Sequence, residues 1–183
     1  KIYSLHEPQV YCVGKGKDHK KYEFGAKASV VVTKNNGIIV GAVSHPKNEH
    51  DSKTLTAVIG QSSELRNQCP EVAICDRGYR GKSRIGETEI LIPKPSGKKT
   101  TAYQRQKARK RFRKRAGIEP IIGHLKSDYR MARNFLKGSA GDIINLMLAA
   151  AAFNLKKWMR EVKYIFGSIF FAFLISNKNR KET

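Results

Sequence analysis

Two acids in this 183-residue chain stand where chemistry is expected, Asp76 and Glu119. Asp76 closes a short apolar run, residues 72–75 (VAIC), and leads into Arg77-Gly78-Tyr79-Arg80-Gly81. An acid at the C-terminal end of an apolar strand, before a glycine turn, is where α/β folds expose reactive groups. A turn-forming Asp fits the same residues equally well. Glu119 lies in residues 105–126, RQKARKRFRKRAGIEPIIGHLK, behind a stretch that contains no other Asp or Glu from Ile90 onward. Lys126 follows seven residues later. Carboxylates suit hard cations such as Mg2+ or Mn2+. The cations around Glu119 suit phosphate.

On one continuous helix, at 100° per residue, Phe112, Arg115, Glu119 and Lys126 fall within about 60° of arc. That face lies about 90° from an apolar stripe of Ile118, Ile122, Leu125, Tyr129, Ala132 and Leu136. Glu119 is thereby expected at the edge of the core, held by packing and open to ligand. Pro120 either opens a new helix near Glu119 or kinks a longer one. In both cases Glu119 and Lys126 remain two turns apart on one side. An ordinary solvated helix with internal ion pairs is the alternative.

Other elements must position these groups. Residues 21–33 alternate, with Tyr22, Phe24, Ala26, Ala28, Val30 and Val32 on one face and Glu23, Lys27, Ser29 and Thr33 on the other. This predicts one long strand. Asn35-Asn36-Gly37 supplies a hairpin turn into a second strand over 38–43. Residues 44–51 read as loop, and Asp51 as the cap of a helix carrying Leu55, Val58, Ile59 and Ser62, finished by Pro70. Residues 72–75 and 89–93 are two further strands. A Pro/Gly/Lys linker over 94–99 precedes a helix over 101–116. Gly138 is read as a helix stop. Ser139 with Asp142 resembles a capping box opening a helix from Ala140 to about Tyr164. Residues 1–20 show little pattern, and the GKGK string at 14–17 reads as a basic loop without the P-loop pattern.

The length fits one domain with a real core, and 40% apolar content argues against disorder. Lys and Arg number 36 against 15 acids, a net charge of +21. That surplus calls for a polyanion, nucleic acid first, because cation–phosphate contacts release counterions. An anionic membrane surface is the rival. His45 and His50 lack partners at ligand spacing and read as loop histidines. Cys12, Cys69 and Cys75 have no metal-ligand spacing, which favours a reducing cytosol. Residues 164–175 are apolar but only 12 long, against roughly 20 for a bilayer span. They predict a packed terminal helix or strand and no stable membrane span. No secretory signal is visible, and the opening at Lys1 suggests a processed or truncated product. Tyr79, Tyr103 and Trp158 are candidates for stacking on a displaced base, with packing or surface placement the commoner fate.

The order strand, hairpin, strand, helix, strand ending in Asp76, strand, linker, helix with Glu119 resembles part of a ribonuclease H-like fold. More narrowly, the chain resembles the C-terminal half of bacterial insertion-sequence transposases of the DDE class with a Y-(2)-R-(3)-E-(6)-K signature. Phe112, Arg115, Glu119 and Lys126 stand at those spacings, with Phe in place of Tyr. DRGYRG (76–81) is similar to the motif around the family's second catalytic Asp, and IEPIIGHLK (118–126) to that around its catalytic Glu. KIYSLHEP, GKGKDHKKYEFG and NLKKW are similar to the same family, so the resemblance covers about residues 1–160.

The resemblance implies an α/β, ribonuclease H-like mixed sheet flanked by helices, incomplete at its first central strand. It implies a partial catalytic domain over 1–138 and a helical segment with an apolar tail over 139–183. Asp76 and Glu119 are implied as catalytic and metal-binding, with two Mg2+ or Mn2+ ions in the complete enzyme. Arg105, Arg109, Arg111, Phe112, Arg113, Lys114, Arg115 and Lys126 are expected to contact double-stranded DNA, both element ends and target. The family's first Asp belongs on an upstream strand; Asp18 and Asp51 do not fit its place. Activity is therefore not expected of this chain alone, nor high stability. Residence in the bacterial cytoplasm, at the nucleoid, is expected, and homo-oligomerisation is left open. A non-enzymatic basic DNA- or RNA-binding protein is the other reading, and membrane-surface binding the third.

Overall fold

The computed structural model describes residues 2–18, 20–93, 100–113 and 115–179, with positions 15, 17, 20, 111 and 171–179 given by their backbone alone. The expected linker at 94–99 and Lys114 lie outside the described residues. The architecture is mixed α/β, with strands gathered into three small sheets and helices against them.

The long strand expected over 21–33 is two strands, β2 (Lys20–Phe24) and β3 (Lys27–Val32). Gly25 breaks the run with φ at +145°, a conformation L residues rarely adopt. The expected basic loop at 14–17 is instead part of β1 (Cys12–Lys17), paired antiparallel with β2. Alternation fails to disclose β1 because glycine and lysine carry little of a strand's apolar signal. The hairpin is present: Gly37 sits at φ +58°, and β3 runs into β4 (Ile39–His45) antiparallel. His45, expected in a loop, is therefore the last residue of a strand.

Helix α1 (Asp51–Arg66) begins one residue earlier than an Asp51 cap implies, and its cap is His50, whose side chain accepts from the Ser52 N–H. Asp51 is the first helical residue, and its carboxylate pairs with Lys27. Asn67, in the left-handed region, closes the helix before Pro70. β5 (Val72–Ile74) runs parallel to β7 (Thr88–Leu91), whose other edge carries β6 (Arg84–Ile85) antiparallel.

α2 (Ala102–Arg113) ends before Glu119. A 3-10 turn, Arg115–Gly117, leads into α3 (Ile118–Ser127). Pro120 thus lies in a first turn, where its missing N–H costs nothing. The four-residue face expected on one continuous helix does not exist as such. The apolar stripe also stops early: α3 ends at Ser127, Arg130 takes φ +57°, and Tyr129, Ala132 and Leu136 lie in the following turns. Gly138, expected to end a helix, begins one, α4 (Gly138–Asn179). Asp142 accepts from the Asn134 side chain.

β3 and β4 form the middle of a sandwich. Val30, Val32, Ile39 and Ala42 meet Leu125 of α3 and Leu146, Ala149 and Ala150 of α4. Val31 and Val43, on the opposite face, meet Leu55, Val58 and Ile59 of α1, with Cys75 and Ile90. Asn154 fastens α4 to β4: its side-chain carbonyl accepts from Ile39 N–H at 2.9 Å and its amide donates to Ile39 C=O at 2.8 Å. Past the core, α4 is a helix as expected but not a packed one; Tyr164, Ile165, Phe166, Ile169 and Phe170 are exposed. By length and composition, Gly138–Phe170 is the one helix among the described residues long and apolar enough to cross a membrane.

Candidate functional site

β5 delivers Asp76. The strand is fixed to β7 by the Cys75 N–H, which donates to Leu91 C=O at 2.9 Å. Cys75 is buried, and the next side chain emerges at the surface. Asp76 Oδ1 accepts from the Gly78 N–H at 2.8 Å and so caps the 3-10 turn Arg77–Tyr79. The turn-forming reading of Asp76 is met by this oxygen, while Oδ2 faces a cation.

That cation is Arg115. Its Nη2 stands 3.5 Å from Asp76 Oδ2 and 3.5 Å from Glu119 Oε1. The 3-10 turn after α2 aims the guanidinium between the acids. The fold thus brings Asp76, Arg115 and Glu119 together although α2 and α3 are separate. Glu119 is more open than expected, its side chain 66% exposed. Lys126, also exposed, is two turns along α3. Asp76, Arg115, Glu119 and Lys126 line one cleft of about 1540 Å3, together with residues of β3 and β5.

Arg105, Arg109 and Arg113 are exposed on α2, which contains no acid. Phe112 is half-buried, so its ring is partly withdrawn from any ligand. Arg111 is placed in α2 by its backbone. Of the aromatic candidates, Tyr103 and Trp158 are exposed, whereas Tyr79 packs against the α1 core.

A supporting layer went unread in the sequence. Asp51 Oδ2 abuts Gly78, in the space a Cβ there would need. Lys27 binds the Asp51 carboxylate and donates to the Glu49 carbonyl at 2.7 Å. Ser29, placed by alternation on the face of Glu23 and Lys27, is buried and hydrogen-bonds His45 Nε2 at 3.1 Å. Burial, then the Asp51 charge, raises the Tyr79 hydroxyl pKa. Burial and the neighbouring Asp76 push the Cys75 thiol up to about 11, so it stays protonated and is no thiolate ligand at neutral pH. The available signal was Gly78 itself, small where α1 and the Asp76 turn meet.

Among the described residues no three His, Cys, Asp or Glu side chains form a metal-binding group. The two acids nonetheless suit a hard divalent ion in part: both offer oxygen, both face the cleft, and the locus between them already holds a positive charge. No curated protein and no solved structure gives a match. The family model of the transposase DDE domain matches residues 6–155, a span that includes Asp76, Arg115, Glu119 and Lys126. The chain belongs to the transposase DDE domain family, whose activity is DNA transposition.

Proposed function

We propose that this chain is part of an insertion-sequence transposase, in which α2 tracks the phosphate backbone of duplex DNA and Asp76 and Glu119 are two of three carboxylates that hold Mg2+ or Mn2+. The observation that carries the reading is the shared guanidinium: residues far apart in sequence converge on one nitrogen. Divalent ions, when bound, supply activation of an attacking hydroxyl and relief of charge on the leaving oxygen at phosphorus. Asp76 contributes a rigid oxygen, because its second oxygen is committed to the turn. Glu119, on the first turn of α3, contributes an adjustable one. Arg115 and Lys126 neutralise phosphate, and the basic face of α2 sets the DNA path.

The third acid implied by the resemblance is not among these residues. Its place is supported by two unfilled edges. Among the described residues β3 pairs only with β4, and β5 only with β7, while the cleft between them is lined by residues of both strands and by Asp76 and Glu119. A central strand carrying an Asp would fill that gap, and without it phosphodiester cleavage by these residues alone is not expected. Mn2+ binding separates the transposase reading from a plain basic binder. Asp76→Asn and Glu119→Gln should each weaken it at least tenfold while leaving duplex affinity within about twofold. Unchanged Mn2+ binding in both variants would leave only the DNA-binding role.

A further inference from the structure

Asp76 and Glu119 are not free to receive a metal as they stand, because Arg115 lies between them. Its Nη2 reaches Asp76 Oδ2 and Glu119 Oε1 with legs of 3.5 Å. Charge-assisted hydrogen bonds between a guanidinium and a carboxylate are shorter, roughly 2.7–2.9 Å. The contact is therefore loose. All three side chains are also partly solvated, at 29%, 43% and 66% exposure for Arg115, Asp76 and Glu119. Solvated ion pairs of this kind are weak, so the guanidinium neutralises the acids without being locked onto them.

We infer that Arg115 is a resident cation that a divalent metal must displace, and that a phosphate of bound DNA draws it off, so that metal and DNA bind with positive coupling. This rests on the reading of Asp76 and Glu119 as metal ligands. Two positive charges do not share the space between two carboxylates at low cost, so the ion and the guanidinium compete. The guanidinium has somewhere to go. Its planar fork matches two phosphate oxygens as well as it matches a carboxylate. Arg115 follows directly on α2, whose exposed Arg105, Arg109 and Arg113 would bring a phosphate backbone to its side. With Arg115 on phosphate, both acid oxygens are released at once, since one nitrogen serves both. The same coupling acts in reverse: metal on the acids frees Arg115 and strengthens DNA binding by the same factor. Without DNA, the latch suppresses metal loading.

The test is a Mn2+ titration of the 183-residue chain, following the electron paramagnetic resonance signal of free Mn2+, with and without a short DNA duplex. Arg115→Gln should bind Mn2+ about tenfold more tightly than the unaltered chain in the absence of DNA, within the usual range of coupling between sites. The duplex should tighten Mn2+ binding by the unaltered chain and barely change that of Arg115→Gln. Arg160→Gln, which removes the same charge from an exposed position of α4 outside the cleft, should bind Mn2+ like the unaltered chain. Equal or weaker binding by Arg115→Gln, with binding lost in Asp76→Asn, overturns the latch and leaves the metal site standing. Tightening by Arg160→Gln to the same degree also overturns it, as a general effect of the chain's charge. Binding unaffected by Asp76→Asn sinks the site and the latch together. Should Arg115→Gln fail to fold by circular dichroism, a Mg2+ titration of the unaltered chain read on the Arg115 Nε–Hε resonance decides. A shift that saturates with Mg2+ supports displacement, and an unmoved signal at saturation contradicts it.

Discussion

Arg115 Nη2 lies 3.5 Å from Asp76 Oδ2, an ion pair that joins the turn after α2 to the end of β5. Its carboxylate partner is 43% exposed, so the pair contributes little to stability. Asp76→Asn removes the charge but keeps an Oδ1 able to accept from Gly78 N–H. Asn caps as well as Asp. Urea denaturation of Asp76→Asn should therefore show a loss below about 1 kcal/mol. A loss of several kcal/mol would make Asp76 a structural residue first.

The close approach of Asp51 to Gly78 makes the opposite prediction. A Cβ at position 78 would collide with Asp51 Oδ2, a carboxylate that Lys27 holds in place. Gly78→Ala should cost about 1–3 kcal/mol in denaturant melts, the usual price of overpacking. The double variant Gly78→Ala with Asp51→Ala should recover part of that loss. Additive losses would mean that Asp51 does not confine the turn.

His45 gives the fold a pH dependence. Burial, opposed by Glu49 and assisted by Lys27, holds its pKa below 6.5. Below that value the unfolded chain takes up a proton that the folded chain refuses, so stability falls as pH drops from 6.5 toward the folded pKa. Above 6.5 the contribution is flat. Denaturation midpoints measured at pH 7.5 and pH 5 should differ more in the unaltered chain than in His45→Gln. Equal differences in both would place the acid sensitivity elsewhere.

The DNA path over α2 is read from salt dependence. Each phosphate contact contributes roughly 0.9 to the slope of log affinity against log salt. Arg105→Gln and Arg109→Gln, both at exposed positions, should each lower that slope by about one and weaken all duplexes alike. A variant whose slope is unchanged removes its residue from the interface.

How much of this was legible in the sequence differs by scale. The hairpin at Gly37, the start of α1 and the strand leading to Asp76 were readable, because turn chemistry and apolar runs are local. The two acids were readable for the same reason, one ending a strand and one isolated among cations. β1 and the split at Gly25 were not, because strand pairing rather than side-chain pattern defines them. The buried Ser29 and exposed Ala28 invert the alternation of β3, whose two faces meet two different cores. The break between α2 and α3 mattered most. A single helix would have set Arg115 and Glu119 side by side, whereas the 3-10 turn also brings Arg115 to Asp76. No periodicity contains that second contact, because it is made between elements.

Asp76 and Glu119 are proposed to hold one divalent cation between them. The direct measurement is anomalous diffraction from crystals of the chain grown with Mn2+ and a short duplex. A peak ligated by oxygens of both Asp76 and Glu119, with the Arg115 guanidinium withdrawn toward phosphate, is the predicted result. Saturating Mn2+ that leaves Arg115 bridging the two acids, with no peak between them, would contradict it.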